Sequence, residues 1–199
     1  MQMGMLNEIY HYLSQGGLIM LPLILCSCVM WTLILDRFLF FFRLGKKDIE
    51  LHQLTRILDQ DQMPGSYKGI IAFLVHQVMV RRLHDPVADK RIIDECAMPL
   101  FSKMERFLAT IAVLAAVSPL FGLLGTVTGM ITTFDVITLF GTGNARAMAG
   151  GISEALVTTQ SGLLVSIPGI FMSVFLYRLS SRAKNRLETA VMVLKRSLK

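Results

Sequence analysis

Glu154 is the residue of this sequence best placed for proton chemistry, because it stands at the head of a long apolar segment. The 23 residues from Ala155 to Tyr177 contain no Lys, Arg, Asp or Glu, and about 20 apolar residues are enough helix to cross a bilayer. A charged side chain inside the bilayer costs roughly 2.5 kcal/mol or more and tends to face a cavity or a partner. Glu154 is therefore a candidate for reversible proton binding within a membrane.

The same carboxylate has a second interpretation, as an ordinary helix-end residue. Gly150 and Gly151 could end a loop, and Ser153 could then cap the helix that follows. Glu154 would lie in the first turn of that helix, where a negative charge complements the helix dipole. Both interpretations remain open on these residues alone.

Polar residues near Glu154 extend the candidate site. At about 100° per residue along a helix, Thr158 and Ser161 lie close to the face of Glu154, whereas Thr159 lies well away from it. Periodicity therefore favours Thr158 and Ser161 as its polar neighbours. Asp135 lies near the end of the preceding apolar segment and is a further candidate carboxylate.

Glycines are predicted to let the two apolar segments pack closely. The spacing from Gly125 to Gly129 is the GxxxG pattern, which allows helix backbones to approach one another. Serine and threonine hydroxyls in the same segments are also typical of packing, because they bond back to helix carbonyls. The predicted packing residues are Gly122, Gly125, Gly129 and Gly162.

Composition indicates a membrane protein rather than a soluble domain. The chain has 199 residues, of which 53% are hydrophobic, and a mean hydropathy of +0.56. The net charge of +6 comes from residues that flank apolar segments, so a nucleic-acid partner is not expected. Cys26, Cys28 and Cys96 lack metal-ligand spacing. We expect no metal, no cofactor and no enzymatic activity.

The elements that must position these residues are all helical. The expected fold is an all-α membrane protein with three transmembrane helices and long cytoplasmic helical extensions. The predicted segments are a periplasmic amphipathic helix (1–17), the first transmembrane helix (18–42), a cytoplasmic helical domain (43–106), the second transmembrane helix (107–140), a periplasmic loop (141–152), the third transmembrane helix (153–178) and a cytoplasmic helical tail (179–199).

Basic residues set the expected orientation. No Lys or Arg precedes Arg37, and Arg146 is the one basic residue between the second and third apolar segments. The other basic residues lie in the middle domain or in the tail. The positive-inside rule then places the N-terminus in the periplasm and the C-terminus in the cytoplasm.

Two motifs together resemble the ExbB/TolQ/MotA family of proton-channel motor subunits, and most closely its ExbB members. They are "GLLGTVTGM" in the second span and "GISEALVTT" at the start of the third. The resemblance is strong over roughly residues 107–178. It implies a subunit in the inner membrane of a Gram-negative bacterium that couples proton flow to TonB-dependent import of iron–siderophore complexes, haem or vitamin B12.

The resemblance also implies partners and site residues. The family assembles as a homopentameric ring around a single-span ExbD-like or TolR-like partner, contacts lipid, and passes work to a TonB-like transducer. The family's functional glutamate corresponds to Glu154, and its two threonines correspond to Thr126 and Thr159. We place these three on the ion pathway and keep Thr158, Ser161 and Asp135 as secondary candidates.

Several alternatives stay open. A TolQ-like subunit would serve envelope integrity, and a passive membrane scaffold would use Glu154 and the threonines for packing alone. A MotA-type stator would have four spans and a larger cytoplasmic domain, which three spans argue against. The translocated ion is expected to be H⁺, with Na⁺ as the alternative. Asp135 and the loop "FGTGNARAMAGG" depart from the family pattern.

Overall fold

The computed structural model of the chain describes residues 16–44, 54 and 69–198. Within these residues the helices in chain order are α1 (Met20–Leu44), α2 (Ile70–Arg81), α3 (Pro86–Glu105), α4 (Leu108–Phe140) and α5 (Ala145–Ser197), with a 3-10 turn at Gly141–Gly143. The predicted amphipathic helix lies outside the described residues, except for its last two positions. Residues 45–53 and 55–68 of the predicted middle domain also lie outside them.

Three helical segments of the described chain are long and apolar enough to cross a membrane. They lie in Met20–Leu44, in Pro86–Phe140 and in Ala145–Ser197, with hydropathies of 1.9, 2.3 and 1.7. Between a fifth and a third of each apolar stretch is buried by the rest of the chain. The predicted all-α, multi-pass membrane protein with three spans is confirmed to this extent.

The loop before the third span is shorter than the sequence indicated. Helix α5 begins at Ala145, so residues 145–152 are helical rather than part of the predicted 141–152 loop. The Asn144 side chain accepts a hydrogen bond from the Ala147 amide at 3.2 Å and caps the helix. Gly150 and Gly151 were expected to end the loop, but they lie inside the helix.

The described residues form two compact units. The first contains residues up to Ile34 and Thr110–Ser173, and the second contains Leu35–Ala109 and Val174–Lys199. Parts of α1, α4 and α5 pack together in the first unit, which contains every candidate ion-pathway residue.

In the first unit, α4 and α5 pack with their backbones in direct contact. A methyl group added at Gly162 would lie 2.8 Å from the Ser118 carbonyl oxygen and 3.1 Å from the Gly122 Cα. One added at Gly129 would lie 2.7 Å from the Gly151 carbonyl oxygen. One added at Gly125 would overlap the Thr158 side chain. Glycine is the residue that allows this separation, because any side chain would push the helices apart.

In the second unit, the described parts of three helices bury a shared apolar core. Helix α2 contributes Ile71 and Leu74, α3 contributes Ile93 and Met104, and the tail of α5 contributes Leu187, each almost completely buried. Cys96 lies in the same core, where desolvation raises the pKa of its thiol; Arg81 opposes this shift and Glu95 adds to it. The thiol therefore stays protonated and packs as a small apolar group.

A buried arginine stabilises the end of α3 in the second unit. Arg37 is 6% exposed and its Nη1 donates to the Lys103 carbonyl oxygen at 3.1 Å, a carbonyl in the last turn of α3. Its guanidinium also lies over the Phe107 ring, 5.4 Å from the centroid. Phe107 has a left-handed φ of 65° and separates α3 from α4, so the predicted second span begins one residue later than expected, at Leu108.

Replacing a packed glycine of α5 by alanine should destabilise the protein, whereas replacing an open one should not. Gly162→Ala should lower the free energy of unfolding by about 1–3 kcal/mol, because backbone atoms of α4 block the new methyl group. Gly150 has open space around it, so Gly150→Ala should be neutral or stabilise by up to about 1 kcal/mol. Thermal unfolding in detergent measures both. Equal melting temperatures for the two variants would contradict the close contact.

Removing the Arg37 guanidinium should destabilise the second unit. Arg37→Ala should cost roughly 3 kcal/mol, since it removes a charged hydrogen bond to a helix end and cation–π contacts. Arg43→Ala is the matched control, because Arg43 lies in the same helix and is exposed. Melting temperature in detergent is the measurement. If Arg37→Ala and Arg43→Ala have the same melting temperature, Arg37 does not stabilise the end of α3.

Candidate functional site

Glu154 lies in the third turn of α5, not at its beginning. Because the helix starts at Ala145, Ser153 cannot be its cap, and the helix-end interpretation of Glu154 is wrong. The side chain is half-buried. Its carboxylate therefore lies beyond the first turn of a long apolar helix. A favourable interaction with the helix dipole, which is confined to that turn, does not explain why a carboxylate occurs there.

The Glu154 carboxylate lies against Gly17, in the turn that precedes α1. A methyl group added at Gly17 would overlap the Glu154 Oε1 atom and would lie 2.7 Å from Cδ. Sequence reasoning missed this neighbour, because Gly17 was predicted only as the last residue of the periplasmic amphipathic helix. The two residues are far apart in the chain, and periodicity within one helix carries no information about such a contact.

Thr158 and Ser161 are buried side chains of α5. Thr158 is 2% exposed and its hydroxyl donates to the Glu154 carbonyl oxygen at 2.8 Å, with the Ala155 carbonyl 3.1 Å away. Ser161 is also buried and donates to the Val157 carbonyl at 2.8 Å. Both hydroxyls bond to the backbone of their own helix. In the single chain these two residues act in packing, beside the carboxylate rather than on it.

Thr159 connects the two helices. Its hydroxyl lies 3.1 Å from the Gly122 carbonyl oxygen of α4 and 3.1 Å from the Ala155 carbonyl of its own helix. One hydroxyl proton can satisfy one of these acceptors fully or be shared between them. Thr159 is half-buried, and the missing side chain of Gly122 brings that carbonyl within reach. A hydroxyl with two alternative acceptors can change its partner without moving the helices.

Thr126 lies one turn beyond Gly122 on α4. It is half-buried and its hydroxyl donates to the Leu123 carbonyl at 2.7 Å. Thr126 and Thr159 therefore both lie near Gly122: Thr126 is one helical turn away on α4, and Thr159 contacts the Gly122 carbonyl from α5. The structure shows each of them bonded to a backbone carbonyl.

Asp135 lies away from this arrangement. The buried face of α4 includes Gly129 and Thr133, and at about 100° per residue Asp135 points to the opposite side of the helix from Thr133. Asp135 is exposed. The structure thus places it on a different face from the α5 contact and from Glu154.

Exposed polar side chains mark parts of the apolar helices that the chain does not cover itself. Thr128, Thr132 and Asp135 follow one another at helical spacing on α4, and Thr132 and Asp135 are exposed. Gln160 is exposed in the middle of the apolar stretch of α5. Polar groups in lipid are costly. Exposed Asp135 and Gln160 would therefore be costly against lipid, whereas Thr128 and Thr132 donate to carbonyls of their own helix.

The site combines one carboxylate with hydroxyls on two closely packed helices. A carboxyl group can bind and release a proton, and a hydroxyl can both donate and accept a hydrogen bond. Glu154 is the carboxyl group of this site, and Thr126 and Thr159 are its hydroxyl groups on the two helices. This chemistry suits proton transfer along a helix pair.

The chain matches the model of the MotA/TolQ/ExbB proton channel family over residues 67–189. That range includes Glu154, Thr126 and Thr159.

Individual proteins show the same likeness. The chain is 32% identical to an ExbB-like 1 protein of Synechocystis sp. over 182 residues, which are 84% of this chain and 70% of that protein. It is 29% identical to the biopolymer transport protein exbB1 of Vibrio cholerae, over 88% of this chain and 82% of the relative. It is 32% identical to the biopolymer transport protein ExbB of Salmonella typhimurium, over 76% of this chain and 68% of the relative. The chain therefore belongs to the MotA/TolQ/ExbB proton channel family.

Proposed function

We propose that this chain is the ring-forming subunit of an inner-membrane proton channel that drives TonB-dependent import across the outer membrane. An ExbD-like single-span protein is its partner in the pore, and a TonB-like protein transmits the work. The similarity to proteins named ExbB supports this branch of the family over the TolQ branch. Iron–siderophore complexes, haem and vitamin B12 are the proposed cargo classes.

One observation carries the proposal: the position of Glu154 within α5. A glutamate in the first turn of a helix needs no function, but one in the third turn of an apolar helix, half-buried, has no such explanation. The passive-scaffold alternative requires this carboxylate to be a packing feature. A neutral or apolar side chain would pack there at a lower free-energy cost than an ionised carboxylate. The carboxylate is therefore better explained by proton exchange.

The proposed mechanism uses the hydroxyls as relays and the carboxylate as a proton acceptor. Protons from the periplasm reach the helix pair, where Thr126 and Thr159 line the path and Glu154 binds and releases the proton. Each proton that crosses 100 mV supplies about 2.3 kcal/mol. That free energy is enough to bias a loosely held partner helix from one subunit to the next.

Assembly into a ring, with five copies as the proposed number, accounts for the exposed polar positions. Gln160 and the face of Thr132 and Asp135 would meet neighbouring subunits or the partner helix, and the exposed leucines and phenylalanines of α4 and α5 would meet lipid or other copies. The proposed topology places the Gly141–Gly143 turn in the periplasm, and the middle domain (43–106) and the α5 tail (179–199) in the cytoplasm, as the distribution of Lys and Arg favours.

Replacing the carboxylate should abolish coupling without unfolding the protein. Glu154→Gln keeps the shape of the side chain but cannot exchange a proton, so we expect loss of iron–siderophore-dependent growth and of proton uptake by membrane vesicles. Glu188→Gln is the control, because Glu188 is an exposed carboxylate on the same helix. The melting temperatures of both variants should stay near that of the unmodified protein. Full growth and proton uptake with Glu154→Gln would refute the proposed role of Glu154.

A further inference from the structure

We propose that Gly17 is a positioning residue for Glu154. The absence of a side chain at position 17 leaves the space that the carboxylate occupies, so the turn ahead of α1 forms one wall of the proton site. The inference about position rests on the contact itself. Its consequence for proton transfer rests on the proposed function.

The contact involves the end of the Glu154 side chain. A methyl group at Gly17 would overlap Oε1 of Glu154, would lie 2.7 Å from Cδ and would lie 3.3 Å from Cγ. Contacts between real side-chain atoms are longer than the separations of this methyl group from Oε1 and Cδ. Any residue other than glycine would therefore make the flexible end of the Glu154 side chain turn away, which changes the groups that the carboxylate reaches.

The turn is a fixed part of the structure around α1. Gly17 has a left-handed φ of 62°, and its carbonyl oxygen accepts a hydrogen bond from the Met20 amide at 3.3 Å. The Leu21 amide bonds in the same way to Leu18 at 3.4 Å. These bonds connect the turn to the first residues of α1, so the turn cannot move independently of that helix.

A second contact holds α1 along α5. A methyl group added at Gly169 would lie 2.6 Å from the Met30 sulfur, so Met30 packs directly on Gly169. Residue 17 thus lies beside residue 154, and residue 30 lies beside residue 169. The two contacts are separated by nearly the same number of residues along each of the two segments. In the first unit α1 and α5 therefore run parallel, and two points of contact set the register that brings Gly17 to Glu154.

This arrangement gives α1 a role in the site that the family motifs do not contain. The motifs lie in α4 and α5, whereas Gly17 belongs to the N-terminal end of the chain. Glu154 lies between the glycine-packed pair α4–α5 and the turn before α1. A shift of α1 relative to α5 would move this wall and expose or cover the carboxylate.

The test is a double-mutant cycle with a control for backbone strain. Gly17→Ala introduces both strain at positive φ and the clash with Glu154. Gly141→Ala introduces the strain alone, because Gly141 has a φ of 66° with open space around it. We expect Gly141→Ala to lower the melting temperature by about 3 °C, and Gly17→Ala to lower it somewhat more, because the end of the Glu154 side chain must also turn away from the new methyl group. In the Glu154→Ala background the effect of Gly17→Ala should fall to that of Gly141→Ala.

A functional measurement separates positioning from stability alone. Proton uptake by native membrane vesicles is recorded against pH with the full chain in its complex. Gly17→Ala should shift the pH profile of uptake, and Gly141→Ala should leave it in place. Additive melting-temperature effects in the cycle would overturn the positioning role, and so would an unchanged pH profile for Gly17→Ala in vesicles that take up protons.

Failure of the proposed function gives a different pattern. If the unmodified vesicles take up no protons under an applied gradient, the proton-channel role is rejected. The cycle of melting temperatures still decides whether Gly17 places the Glu154 side chain, because that readout does not depend on transport.

Discussion

The backbone contact between α4 and α5 is the constraint on which the candidate site depends. Gly162 lies against Ser118 and Gly122, and Gly129 lies against Gly151. Because the two helices are this close, the Thr159 hydroxyl contacts the Gly122 carbonyl of α4. A larger distance between the helices would break this contact. In lipid there is no hydrophobic force between apolar helices, so close packing and cross-helix hydrogen bonds supply the stability. The same glycines that let the helices pack closely thus bring the Thr159 hydroxyl to the Gly122 carbonyl of the other helix.

The contact between α4 and α5 also determines where the Glu154 carboxylate can lie. The carboxylate cannot enter the α4–α5 contact, because Thr158 and Ala155 fill it. It is directed instead toward the Gly17 turn, where a missing side chain provides room. In the second unit a charged group is handled by a different device: Arg37 is buried, but a carbonyl, a carboxylate and two aromatic rings surround its guanidinium.

Much of this architecture follows from local patterns in the sequence. Uncharged runs of sufficient length predicted the three spans, and the spacing of Gly125 and Gly129 indicated a close helix pair. The start of α5 was missed because Gly150 and Gly151 look like a loop, yet tertiary contact on Gly151 outweighs their weak helix propensity. The meeting of Gly17 and Glu154 could not be predicted, because it depends on the register of two helices from opposite ends of the chain. Wheel geometry placed Thr158 on the face of Glu154, but it could not show that α4 covers Thr158.

The central claim is that Glu154 is a carboxyl group that exchanges protons inside the membrane. Carbodiimides modify protonated carboxyls in apolar surroundings, so the direct measurement is carbodiimide labelling of the purified complex across pH, with and without sodium, mapped by peptide mass. If Glu154 exchanges protons there, the reagent labels Glu154 and leaves exposed Glu188 unlabelled, and sodium gives no protection when the ion is H⁺. An unlabelled Glu154 in an intact complex would contradict the claim.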